Sequence, residues 1–195
     1  MRRKGFDALV TAAGLVLATV LLAASGLLFW AHSFIDDNIR TQLVAQKIFM
    51  PKAGSESLDD PAVKPYLSQY AGQQLKSGEQ AKAYADHFIA VHLRALTGNK
   101  TYSELSAQAQ LTPTDTALQA KVATTFRGET LRGLLLNAYA CGKMAQVAGL
   151  AAWISLTTGL VVLLLAMLGV VHARRTSYDV KVNVPGWHPE RLPAS

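Results

Sequence analysis

The chain has 195 residues, 50% of them hydrophobic, with a single cysteine and a formal net charge of +6. One cysteine excludes an intramolecular disulfide. The positive charge does not indicate nucleic-acid binding, because the basic residues cluster at the two ends of the chain and are elsewhere scattered singly among acidic ones. Anionic lipid headgroups account for such terminal clusters. We therefore predict the lipid bilayer as a partner and no nucleic acid.

Two long apolar stretches without charged residues lie near the ends of the chain. They cover residues 8–31 and 147–171, and a helix of roughly 20 apolar residues is long enough to cross a bilayer. We predict transmembrane helices over 8–31 and 147–172. The lack of charged residues argues against a transporter, because ion paths and proton relays use ionisable side chains at bilayer depth.

The flanking charges predict the orientation of these helices. A basic cluster, Arg2 to Lys4, precedes the first stretch, and Arg174 and Arg175 follow the second. Basic residues next to a span remain on the cytoplasmic side. The prediction is a two-span protein of the plasma (inner) membrane with both termini cytoplasmic. Its parts are an N-terminus over 1–7, an extracytoplasmic domain over 32–146 and a cytoplasmic tail over 173–195.

A cleaved signal peptide is the alternative for the N-terminus. The first apolar stretch is about twice as long as the apolar region of a usual signal peptide. Phe29 and Trp30 also interrupt the small-residue pattern that cleavage requires. A retained membrane anchor is therefore favoured.

The segment between the spans is predicted to be all helical, because it has neither sustained β-branched alternation nor an Asn-Gly turn. Capping residues, Pro and Gly divide it into helices. In chain order these are an outward extension of the first span to Gln46, a helix from Asp60-Pro61 to Leu75, one from Ser77 to Gly98, a short one from Thr101, and a last one from Asp115 unbroken into the second span. The predicted fold is all-α, a transmembrane helical hairpin with an extracytoplasmic helical domain.

Small residues recur at helical spacing in both spans. The set comprises Gly14 and Ala18 in the first span and Ala145, Gly149, Ala152, Ser155 and Gly159 along the second. Such stripes allow two helix backbones to approach closely. They predict packing of the two spans against each other, with packing against another membrane protein or a second copy of the chain as the alternative.

One ion pair is predicted between the two ends of the central segment. Asp36 and Asp37 follow the first span at about the same distance at which Lys143 precedes the second. In an antiparallel helix pair these positions lie at the same height. We therefore predict that Lys143 pairs with Asp36 or Asp37, which would contribute about 0–1 kcal/mol as an exposed pair.

No motif for catalysis, a cofactor or a metal is present. His87 and His92 are five residues apart, whereas metal-binding histidines on one helix face are usually four apart. We therefore predict His92 as a hydrogen-bonded histidine of the core or an interface. Glu129 and Arg132, at i and i+3, have the spacing of an ordinary surface ion pair. The prediction is that the chain is not an enzyme and holds no cofactor.

Two hypotheses of function follow. The first is a non-enzymatic integral membrane protein, an accessory or scaffolding component of a cell-envelope complex. The alternative is an extracytoplasmic ligand-binding module anchored by the two spans. In that case Tyr66, Tyr70, Tyr84 and His92 would line a pocket, and an apolar cavity of several hundred Å³ would favour it.

Four stretches carry a resemblance to a known family: residues 47–51, 70–74, 83–89 and 126–139. Together they resemble a family of uncharacterised two-span membrane proteins of actinobacteria, sometimes labelled aromatic ring-opening dioxygenases. The resemblance implies a plasma-membrane location and a helical extracytoplasmic domain. It implies no catalytic residues, and the residues here provide no His/His/carboxylate set for iron.

Overall fold

The computed structural model describes residues 3–175, and within that range the chain is all α-helical without a strand. The helices are α1 (Arg3–Ala45), α2 (Glu56–Asp59), α3 (Lys64–Leu67), α4 (Gly78–Tyr84), α5 (Ala90–Thr97), α6 (Tyr102–Leu111) and α7 (Thr116–Arg175). A 3₁₀ turn, Ser68–Tyr70, follows α3, and a π turn, Ala85–Ile89, joins α4 to α5. Most of the predicted cytoplasmic tail lies outside the described residues.

The chain divides into two compact units. The terminal unit contains residues 3–28 and 150–175, and the central unit contains residues 29–149. Both α1 and α7 contain a stretch that is long and apolar enough to cross a membrane. The two candidate spans of the sequence are therefore helical.

Within the terminal unit the two helical segments pack antiparallel through small residues. A Cβ atom added at Gly14 would lie 3.3 Å from Ala166 Cβ, and one at Gly159 would lie 3.1 Å from Leu22 Cδ2. The Ser155 hydroxyl donates a hydrogen bond to the Leu21 carbonyl oxygen at 2.8 Å. Large apolar side chains are exposed around this contact, among them Val16, Val20, Leu27, Leu160, Leu164 and Leu165.

The central unit has a core of large apolar residues. Its most deeply buried side chains are Val63, Leu67, Leu75 and Leu135. The first turn of α4 approaches α7 closely, since a Cβ added at Gly78 would lie 3.0 Å from Tyr139 Cα and 3.1 Å from the Ala138 oxygen. Only a glycine fits at such a distance without displacing backbone.

The helix boundaries in the central unit follow local capping signals. The predicted helix start at Thr101 is confirmed, and it forms a capping box: the Thr101 hydroxyl accepts from the Glu104 N–H, and the Glu104 carboxylate accepts from the Thr101 N–H. Ser77 caps α4 by accepting from the Gln80 N–H. Gly98 ends α5 with φ +64°, a left-handed conformation that favours glycine.

The predicted continuous helix from Asp60 to Leu75 was wrong. The Asp60 carboxylate accepts from the Ala62 N–H as predicted, but only a turn, α3 and the 3₁₀ turn follow. Pro65 lies inside the predicted helix, where it has no N–H to donate. Gly72 then adopts φ +68° and ends the segment before Leu75.

The predicted last helix is confirmed, since α7 runs unbroken over 60 residues from Thr116. The Asp115 carboxylate accepts from the Leu118 N–H at its start. Gly128 has a packing role in this helix, because a Cβ added there would lie 2.7 Å from Leu93 Cδ2. The glycine therefore creates the space in which the buried Leu93 side chain packs.

Candidate functional site

A charge network lies on the π turn of the central unit. The Asp86 carboxylate accepts from Lys82 Nζ at 2.5 Å and from Arg132 Nη2 at 3.4 Å. Arg132 also donates to Glu129 at 3.3 Å, so the predicted Glu129–Arg132 pair is confirmed. π turns are rare and occur frequently at functional sites. This one brings an acidic side chain of the α4–α5 segment to the basic side chain of α7.

The network changes the pKa of Asp86 in a direction that follows from its partners. Partial burial alone would raise the pKa, but the hydrogen bonds and positive charges of Lys82 and Arg132 outweigh burial and hold it below its ordinary value. The hydrogen bond to Asp86 correspondingly raises the pKa of Lys82. Asp86 and Lys82 therefore both remain charged at neutral pH.

Beside the network lies a cleft of about 510 Å³, here named the basic cleft. It is formed by α5, the loop after it, the start of α6 and one face of α7. The lining residues are Ala90, Leu93, Arg94, Thr97, Asn99, Lys100, Thr101, Tyr102, Ser103, Thr125, Glu129 and Arg132. Three of them are basic and one is acidic. The sequence analysis did not identify this cleft, because its basic residues share no spacing that defines a motif.

A second cleft of similar size, about 500 Å³, lies between α1 and α7 within the central unit. We name it the uncharged groove, since no charged side chain is among its lining residues. Those residues are Phe34, Ile35, Asn38, Ile39, Gln42, Leu43, Gln46, Leu134, Leu135, Asn137, Ala138 and Cys141. Phe34 and Leu134 are exposed to 55% and 60%, so large apolar surface is accessible at this groove.

The predicted partner of Lys143 was wrong. Lys143 Nζ lies 2.5 Å from Glu79 Oε1, whereas Asp36 and Asp37 are exposed and form no ion pair with it. Equal height on α1 and α7 does not decide the pairing, because α4 packs directly against α7 and places Glu79 beside Lys143. The hydrogen bond to Glu79 raises the pKa of Lys143.

Three of the four residues of the predicted pocket make ring contacts, and none of the four is among the lining residues of either cleft. Tyr66 stacks on His87 with ring centroids 3.5 Å apart. Tyr84 stacks on Phe88, and Phe88 in turn contacts the His92 ring. Tyr70 is half-buried against the core. These contacts do not support a pocket enclosed by Tyr66, Tyr70, Tyr84 and His92.

His92 differs from the sequence-based prediction in one respect. His92 is hydrogen-bonded to the Phe88 oxygen through Nδ1 at 2.8 Å, but its side chain is exposed and not in a core. His87 is half-buried, and this burial lowers its pKa. Within residues 3–175 no group of three or more His, Cys, Asp or Glu side chains is arranged to hold a metal ion.

The predicted helix-packing residues lie in contacts between the two long helices. Ala18 and Ala152 are fully buried in the terminal unit, where Gly14, Ser155 and Gly159 make the contacts described above. In the central unit His32 Nδ1 lies 2.7 Å from the Ala145 oxygen, and a Cβ added at Gly149 would lie 3.1 Å from the same His32 atom. Ala145 and Gly149 therefore also make room for the His32 imidazole ring, a contact that no sequence motif predicted.

Comparison with models of protein families, with curated proteins and with solved structures finds no match to this chain.

Proposed function

We propose that this chain is a two-span integral membrane protein of the plasma membrane, an accessory or scaffolding component of a cell-envelope complex. In this proposal residues 32–146 are extracytoplasmic and both termini are cytoplasmic. The observation that carries it is the packing of the terminal unit. There the small residues lie in the helix–helix contact while large apolar side chains are exposed around it.

This arrangement suits a hydrocarbon solvent. A water-soluble helix pair buries its large apolar side chains, because that removes apolar surface from water. In lipid this driving force between helices is absent, and close backbone packing with interhelical hydrogen bonds replaces it. The Ser155 hydrogen bond to Leu21 and the close approach at Gly159 are contacts of this kind.

The uncharged groove supports a role in binding another membrane protein. It combines the exposed apolar side chains of Phe34 and Leu134 with the amides of Asn38, Gln42 and Asn137. Amide and apolar side chains on neighbouring helices suit a helical partner, because amides can hydrogen-bond across helices without placing a charge in the contact. We propose the helix of a second membrane protein as the occupant.

The carboxylates nearest to the basic residues are already bound by other groups of the protein, which supports a non-enzymatic role. Asp86 and Glu79 are paired with cations, and Glu104 is held in the capping box of α6. A general acid or base needs a proton that it can exchange with a substrate near neutral pH. The ion pairs and the lowered pKa of Asp86 do not favour that role.

Cysteine labelling tests the membrane orientation. Ala107→Cys and Ser177→Cys would be introduced separately after Cys141→Ala removes the natural thiol. We expect a membrane-impermeant maleimide to label position 107 in intact cells and position 177 only after permeabilisation. Labelling of position 177 in intact cells would overturn the proposed orientation.

Photocrosslinking tests the partner. Replacing Phe34 or Leu134 by p-benzoyl-phenylalanine places the probe at the uncharged groove, and replacing Leu111, exposed to 83% and outside the groove, provides the control. We expect one reproducible adduct with a membrane protein from positions 34 and 134 and none from position 111. Equal adducts from all three positions, or none from any, would contradict the scaffolding role.

A further inference from the structure

We propose that the basic cleft is a binding site for a small molecule that carries a phosphate group on an apolar body. Arg94 and Lys100 would bind the phosphate, and Leu93 and Tyr102 would contact the body. This site is independent of the partner groove, so it holds whether or not the scaffolding role is correct.

The shape of the basic cleft is that of a ligand site. Its volume of about 510 Å³ lies in the usual range for small-molecule pockets, about 300–1,000 Å³. Leu93, Thr97 and Thr125 are buried to more than 90% and form a fixed floor. Tyr102 lies at the side, where its ring is held against Phe126 with centroids 5.5 Å apart.

Arg94 provides the first cation without a protein partner. Its side chain lines the cleft and makes no hydrogen bond or ion pair with any described residue. A guanidinium presents five N–H donors in a planar fork that matches the oxygens of a phosphate. A phosphate at this place would therefore find a cation that no carboxylate already neutralises.

Lys100 provides the second cation, from the loop on the other side. Its Nζ donates to the neutral Gln108 amide oxygen at 3.0 Å, which leaves two of its three N–H donors available. The nearest carboxylate along the chain is Glu104. That group is held by hydrogen bonds from the backbone N–H and hydroxyl of Thr101, and it interacts with the charge of Lys100 without forming an ion pair with it.

The remaining charges at the cleft neutralise one another. Arg132 is shared between Asp86 and Glu129, and Glu129 is the only acidic residue among the lining residues. The N-terminus of α6 is already capped by Thr101 and Glu104. The cleft therefore presents Arg94 and Lys100 as the cations available to a ligand.

The arrangement of donors favours a phosphate over a carboxylate. Arg94 and Lys100 come from different segments, and Ser103 adds a hydroxyl from the first turn of α6. A tetrahedral phosphate can present oxygens to several such groups at once. A planar carboxylate has two oxygens, which one guanidinium fork already satisfies.

Calorimetric titration of the full chain in phosphatidylcholine nanodiscs tests the site. The probes are butyl phosphate, butyrate and neutral butanol. Each substitution removes a charge-assisted hydrogen bond to the phosphate, so we expect Arg94→Gln and Lys100→Gln each to weaken butyl phosphate binding by about tenfold or more. Arg127→Gln removes the same charge from an exposed residue of α7 outside the cleft and should change binding by less than about twofold.

Three results would overturn the proposal. In the first, butyl phosphate does not bind the wild type at millimolar concentration. In the second, Arg127→Gln weakens butyl phosphate binding as much as Arg94→Gln or Lys100→Gln does. In the third, butyrate binds as tightly as butyl phosphate. Unchanged thermal unfolding of the variants would confirm that they fold. Nanodiscs that contain phosphatidic acid distinguish the source of the phosphate. If phosphatidic acid competes with butyl phosphate and the competition depends on Arg94, the natural ligand is a lipid headgroup. If phosphatidic acid does not compete, the natural ligand is a soluble molecule.

Discussion

The terminal and central units use opposite packing rules within the same two long helices. In the terminal unit, Gly14, Ala18 and Ala152 make the contact while large apolar residues are exposed. In the central unit, Leu67 and Leu135 are buried and charged residues occupy the surface. The proposed membrane location accounts for this difference, because water drives large apolar side chains into a core and lipid does not. Substitutions in the core of the central unit and in the helix contact of the terminal unit test this difference in packing.

The largest effect is expected for Leu135→Ala in the core of the central unit. Leu135 is 1% exposed, and removing a buried leucine side chain costs about 2–5 kcal/mol. Leu111→Ala, at a position exposed to 83%, should change stability by less than about 0.5 kcal/mol. Pulse proteolysis of the full chain in nanodiscs at increasing urea measures both. A similar small effect at the two positions would show that the central unit is not held by its core.

A smaller effect is expected for Gly78→Ala, where α4 meets α7. The new Cβ would lie about 3.0 Å from Tyr139 Cα, which cannot move like a flexible side-chain end, so we expect a loss of about 1–3 kcal/mol. Gly133→Ala is the matched control, since a Cβ there meets nothing within 4 Å. It should stabilise α7 by up to about 1 kcal/mol. The same proteolysis assay measures the pair, and a stabilising Gly78→Ala would refute the close contact.

Asp86→Asn should have an effect that depends on pH. Because the folded pKa of Asp86 is lowered, its ion pairs stabilise the fold fully above the unfolded value of about 3.9, and this contribution is lost as the pH falls through the folded pKa. At pH 7 we expect a loss of about 1 kcal/mol, and below about pH 4 the variant and wild type should converge. Asp37→Asn, at an exposed residue without an ion pair, should behave like wild type. A constant difference between Asp86→Asn and wild type from pH 7 to 3 would contradict the ion-pair origin.

The smallest effect is expected for Ser155→Ala in the terminal unit. It removes one interhelical hydrogen bond, and such bonds contribute about 0.6 kcal/mol in membranes. Unfolding in mixed micelles of increasing dodecyl sulfate content, followed by tryptophan fluorescence, measures the change. Thr19→Ala is the control, because its hydroxyl bonds only within α1. A loss of several kcal/mol for Ser155→Ala would indicate that the terminal unit is held by polar contacts and not by close packing.

The parts of the fold that were predictable from sequence depend on short-range signals. The capping box at Thr101 and Glu104 and the left-handed cap at Gly98 involve residues at most five positions apart. The apolar stretches were equally clear, because their length and composition alone identify them. The predicted helix through Pro65 was wrong, because a proline inside a helix has no N–H to donate and is itself a local signal against a continuous helix.

The contacts that decide the candidate site were not predictable in this way. Glu79 and Lys143 meet because α4 packs on α7, and no rule of spacing gives that alignment. Arg94 and Lys100 reach the same cleft as Arg132 only after three helices assemble. These residues are brought together by the packing of helices that are far apart in sequence, and local sequence patterns carry no information about that packing.

The π turn at Ala85–Ile89 has a consequence for insertions and deletions. A π turn holds one residue more than the α-helical turn it replaces, and here the Ala90 N–H bonds to the Ala85 oxygen. Deleting one residue from it would restore α-helical periodicity and rotate α4 by about 100° relative to α5. Gly78 of α4 could then not remain in contact with α7 while Arg94 of α5 still lines the basic cleft. The extra residue therefore sets the rotation of α4 relative to α5 about the axis of the helical segment they form.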